Sequence, residues 1–139
     1  MDAIDLAERK SRTMAMALYC LGAALLLSEL IGMAMLRSDF VDGFWLGVAL
    51  ACALALMPWR RWVRPRSALS RLLDDESARE HRRMSCAAGF WASLAAALLT
   101  APFAHDGVLG AYDVSRVVAT AAPFAAMVSF ATLELRAAR

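Results

Sequence analysis

The sequence predicts an all-α integral membrane protein: a bundle of four transmembrane helices in antiparallel up-down order. Three observations carry this prediction. Hydrophobic residues make up 60% of the 139-residue chain, with a mean hydropathy of +0.51, above the share usual for soluble domains. Four apolar runs, each long enough to cross about 30 Å of hydrocarbon, are separated by polar or arginine-rich stretches. The runs also account for nearly all of the length, so a single membrane domain, residues 1–139, is expected and no separate soluble domain fits.

The first helix is expected at about 14–36. It follows a polar start, Asp2 to Thr13, and carries one charge, Glu29. The run is longer than the apolar core of a signal peptide and lacks a small-x-small exit, so it is read as a retained span. The second is expected at 41–59, after so short a link that the two form an antiparallel hairpin. Pro58 and Pro65 break the pattern, and Arg60, Arg61, Arg64 and Arg66 crowd around Trp59 and Trp62. Arginine and tryptophan together mark a headgroup interface.

Residues 60–83 form the only sizeable loop, with eight arginines interrupted by Asp74, Asp75, Glu76 and Glu80. Leu69, Leu72 and Leu73 share a face after Ser67, which predicts a short surface helix. The third span is expected at 84–104 and starts early, because the acidic cluster before it suits the positive end of a helix dipole. The fourth, at 114–133, has Arg116 near its outer end and Pro123 in its interior, where a proline bends a helix.

Thirteen basic residues fall on one side of this arrangement, and Arg37 and Arg116 on the other. Such a bias places both termini and the loop in the cytoplasm. The expected surroundings are a lipid bilayer with anionic headgroups, which Arg79, Arg82 and Arg83 can reach along with the Trp59–Arg66 cluster; no nucleic-acid partner is expected.

Glu29 is the most informative single residue, since a carboxyl in an apolar span costs about 2.5 to 3.5 kcal/mol on insertion scales. It sits about 10 Å below the outer boundary by helical rise and shares a face with Gly22 and Gly32, so it should point at a neighbouring helix. Either it couples a proton or cation to transport, or it is held between helices as a structural group. Small residues recur every fourth position at Gly43, Gly47, Ala51 and Ala55, and again at Ser85, Gly89, Ser93 and Ala97. Both ladders are expected to pack within the bundle rather than between copies.

His81 and His105 are expected as solvated loop residues on opposite sides of the membrane, which excludes a shared metal or haem. His105, Asp106 and Asp113 lack companions for a metal or acid/base site, and Gly107 and Gly110 give their segment the character of a turn. Cys20, Cys52 and Cys86 form no metal spacing or disulfide framework. No phosphate-binding loop, HExxH or nucleophile elbow occurs, so neither enzymatic activity nor a cofactor is expected.

The stretch Leu73-Asp74-Asp75-Glu76-Ser77-Ala78-Arg79-Glu80-His81-Arg82-Arg83, followed by Gly89-Phe90-Trp91, resembles uncharacterised small four-helix bacterial inner-membrane proteins. The resemblance implies the bacterial inner membrane and transfers no functional residue. Small multidrug-resistance transporters are also four-helix proteins with a glutamate in the first helix. This chain departs from them in its charged central loop, one-sided charge and outer-half glutamate. The expectation is therefore a non-enzymatic accessory or regulatory subunit that binds a protein partner through helix faces and its loop. The alternative is a homo-oligomeric proton-coupled exporter using Glu29.

Overall fold

The computed structural model describes residues 3–34, 38–57 and 76–137. They form four helices: α1 (Ala3–Ala34), α2 (Asp39–Leu56), α3 (Glu76–His105) and α4 (Ala111–Ala137). Each contains a stretch long and apolar enough to cross a membrane. The Trp59, Arg60, Arg61, Trp62, Arg64 and Arg66 cluster and the surface helix expected after Ser67 lie outside the described residues.

α1, α3 and α4 are longer than the spans expected from hydropathy, because polar flanks continue the helical backbone beyond the apolar core, whereas α2 starts before residue 41 and stops at Leu56, short of 59. α1 has 32 residues, about 48 Å at 1.5 Å per residue, so the polar start is helical rather than a tail. α2 begins at Ser38, whose hydroxyl accepts from the backbone N–H of Val41 at 3.4 Å, with Asp39 and Asp42 in the first turn. These are the cap and charge that a helix N-terminus favours. It ends at Met57, already extended at φ −71° and ψ 135°; the residue ahead of Pro58 is pushed from helical geometry by the proline ring.

α3 starts at Glu76, within the acidic cluster. Its end is a Schellman stop: Gly107 adopts φ +73°, its N–H bonds the carbonyl of Ala104, and the N–H of Val108 bonds that of Phe103 at 2.9 Å. Three residues later α4 opens, with the Asp113 carboxylate reaching back to the N–H of Gly110 at 3.1 Å, the return half of a capping box. His105, Asp106 and Asp113 therefore belong to a helix stop followed by a helix start. Gly107 serves this turn by its left-handed backbone rather than by flexibility.

α4 is the central element, packing against all three others, while α3 rests on α4 and α1 touches both α2 and α4. Leu18 and Leu25 of α1, Trp45 and Cys52 of α2, and Met127 and Phe130 of α4 form the buried apolar core. Large apolar side chains such as Leu27, Leu50, Phe90, Trp91 and Leu98 face outward, the distribution suited to lipid rather than water.

The two small-residue ladders have opposite fates. Ser85 and Gly89 are buried with Ser93 and Ala97 half-buried beside them, and a Cβ at Gly89 would stand 2.7 Å from the carbonyl oxygen of Ala122. This ladder lets α3 and α4 approach closely. Ser93 returns its hydroxyl to the carbonyl of Phe90 at 2.7 Å. The α2 ladder corrects the expectation of internal packing: Gly43, Gly47, Ala51 and Ala55 are all exposed, with nothing within 4 Å of a Cβ at either glycine. Periodicity put these residues on one face, but Trp45 and Cys52 claimed the opposite face for the core.

Candidate functional site

Three charged residues meet where the later part of α1 faces the first turns of α2 and α4. Arg116 donates from Nε to Glu29 Oε2 at 3.1 Å and from Nη1 to Asp42 Oδ1. The pairing is buried: side-chain exposure is 3% for Arg116 and 8% for Glu29, rising to 32% for Asp42. The cluster thus opens toward its surroundings only on the Asp42 side.

Helical spacing builds this arrangement. On α1, Glu29 and Gly32 stand at i and i+3 and face α4 together. Gly32 carries no Cβ because the Arg116 head occupies that space; a Cβ there would lie 2.5 Å from Nη2. On α2, Asp42 and Trp45 have the same spacing, so the carboxylate and the indole reach α4 side by side. On α4, Arg116 and Thr120 stand at i and i+4, and the Trp45 indole N–H donates to the Thr120 hydroxyl at 3.0 Å.

Two aromatic rings complete the enclosure. The guanidinium carbon lies 4.8 Å from the Trp45 ring centroid and 5.9 Å from that of Tyr112, within the range over which an aromatic face attracts a cation. Of the three guanidinium nitrogens, Nη2 is buried and has no hydrogen-bond partner among the described residues. Two carboxylates facing one guanidinium leave the cluster formally with one negative charge, on the side where Asp42 is partly open.

The sequence pattern puts Arg116 at the outer flank and gives Glu29 no charged partner. Both expectations are corrected: Arg116 is 2% exposed and faces inward, and Glu29 is one of three charges in contact. Alone in hydrocarbon either ion would be costly, whereas paired and hydrogen-bonded their attraction offsets desolvation. Gly22, on the same face of α1, is buried facing Phe124: a Cβ there would lie 3.5 Å from the Phe124 ring.

The opposite end is tied by weaker contacts. Tyr19 and Thr132 share a hydrogen bond of 2.7 Å, and His81 Nδ1 lies 3.2 Å from Glu134 Oε1. His81 is thus a half-buried helical residue between α3 and α4, not the solvated loop residue expected, because α3 begins before it. Arg79 and Arg83 are exposed beside it, and Arg82 is half-buried. Cys52 is buried in the core, while Cys20 and Cys86 are exposed free thiols. Among the described residues, no group of three His, Cys, Asp or Glu side chains could hold a metal ion.

Comparison with protein-family models, curated proteins and solved structures finds no match.

Proposed function

We propose that this chain is a small non-enzymatic accessory or regulatory subunit of the bacterial inner membrane, binding a protein partner through an exposed helix face. The observation that carries this function is the α2 ladder. Gly43, Gly47, Ala51 and Ala55 form a small-residue stripe one turn apart that, among the described residues, no other helix covers. In lipid, close backbone approach along such stripes is a main source of helix–helix affinity, so the natural occupant is a transmembrane helix of another protein.

The proposed orientation places the N-terminal side of α1, the loop after α2 and the C-terminal side of α4 in the cytoplasm. Removing Arg116 from the flanking charges leaves Arg37 alone opposite thirteen basic residues, which strengthens the positive-inside argument. The up-down order is supported by the contacts: Glu29 near the end of α1 meets residues near the starts of α2 and α4, while Tyr19 meets Thr132 at the other end. The arginine-rich loop then lies where anionic headgroups are available.

The exporter alternative requires Glu29 to face a shared wet cavity. Its engagement with Arg116 inside one chain favours a role within that chain over one in a cavity shared between copies.

The test is gentle purification of tagged protein from its native membrane, comparing wild type with Gly43→Leu and Gly47→Leu. Because the space around both glycines is open, the variants should fold normally and lose a stoichiometric membrane partner that wild type retains. Retention of the partner by both variants, or recovery of only a homo-oligomer, contradicts the proposal.

A further inference from the structure

The Arg116 head sits in surroundings that resemble a receptor for a cation: two carboxylates at its edge, two aromatic rings near its face, and one partly open wall at Asp42. Aromatic faces combined with carboxylates recognise delocalised organic cations through ring attraction and charge-assisted hydrogen bonds. Arg116 fills this place imperfectly. Its buried Nη2 makes no hydrogen bond among the described residues, and the pair of carboxylates outnumbers the one guanidinium.

An exit for the side chain also exists. Arg116 is the sixth residue of α4, about 7.5 Å along the helix from Ala111 at 1.5 Å per residue, and long arginine side chains near a helix end can reach the interface. Turning Arg116 outward would leave Glu29 and Asp42 facing each other with no countercharge between them, an arrangement that a second cation relieves.

We propose that Glu29, Asp42, Trp45 and Tyr112 form a binding site for small planar organic cations, and that Arg116 is its tethered competitor. In the state described here the site is closed by its own chain. A diffusing cation enters on the Asp42 side when Arg116 swings toward the surface, so its apparent affinity for wild type is lowered by the fraction of time the site is closed. The inference stands apart from the α2 partner face, which lies on the other side of that helix.

Methylguanidinium is the probe, and thermal unfolding in detergent is the readout. Arg116→Ala and Arg116→Gln vacate the site to different degrees, and each is compared with the same substitution in a Glu29→Gln, Asp42→Asn background. At least one should regain stability saturably, with half-maximal effect at about millimolar methylguanidinium, while wild type responds only at a concentration about tenfold higher or more. Neutralising both carboxylates should abolish the response. The proposal is overturned if neither variant, folded or unfolded, recovers with methylguanidinium. It is equally overturned if recovery persists without the carboxylates, or if wild type binds as tightly as the variants. Loss of the α2 partner in the separate Gly43→Leu and Gly47→Leu comparison bears on neither outcome.

Discussion

Replacing Arg116 with methionine is expected to destabilise the protein by about 3 to 5 kcal/mol, the usual consequence of removing one member of a buried ion group. Methionine fills much of the same volume, so the loss comes from charge rather than a cavity. Glu29, at 8% side-chain exposure, would be left beside Asp42 with no cation between them. Denaturation in mixed detergent measures the effect. The same substitution combined with Glu29→Gln and Asp42→Asn should regain most of the loss, because a neutral, packed replacement of a whole buried ion cluster is often nearly neutral. A triple variant as weak as the single one would assign the loss to packing.

The second large effect belongs to the α3–α4 contact. Gly89→Ala introduces a Cβ 2.7 Å from the Ala122 carbonyl oxygen and 3.1 Å from the Ala126 methyl group. The first neighbour is backbone and cannot rotate away, so the helices must separate, at a cost of about 1 to 3 kcal/mol for overpacking. Alanine's better helix propensity offsets at most about 1 kcal/mol of this. Gly47→Ala provides the contrast. It meets open space and should be neutral or slightly stabilising in the same denaturation experiment. Equal effects at the two glycines would mean that the ladders are not used differently.

Hydropathy made the four long apolar helices legible, because a segment that can cross lipid must be long and apolar. Glu29 was legible for the same reason: a charge in such a run stands out, and its spacing from Gly22 and Gly32 gave the face it occupies. The partner was not recognised. Arg116 and Asp42 stand near the ends of their runs, where a charge is ordinarily at the interface, so neither stands out as buried. The signal lay in depth. Glu29 late in α1, Asp42 early in α2 and Arg116 early in α4 occupy similar levels when successive helices alternate direction, and their signs are complementary.

The α2 ladder shows a different limit of the sequence. A four-residue repeat of small side chains defines a stripe but not what lies opposite it; that depends on whether Trp45 or Gly43 wins the core. The indole wins because it buries more apolar surface and its N–H finds the Thr120 hydroxyl. His81 was misplaced for a simpler reason, since the apolar run marks where lipid begins and not where the helix does.

The most direct test of the buried charge cluster is a double-mutant cycle between Glu29→Gln and Arg116→Met, read as unfolding free energy in detergent. Direct contact at 3.1 Å predicts a coupling of about 1 to 3 kcal/mol, with the double variant more stable than the two single losses would sum to. Additivity within about 0.5 kcal/mol would mean that the two residues do not meet, and would contradict the cluster on which the arrangement of α1, α2 and α4 rests.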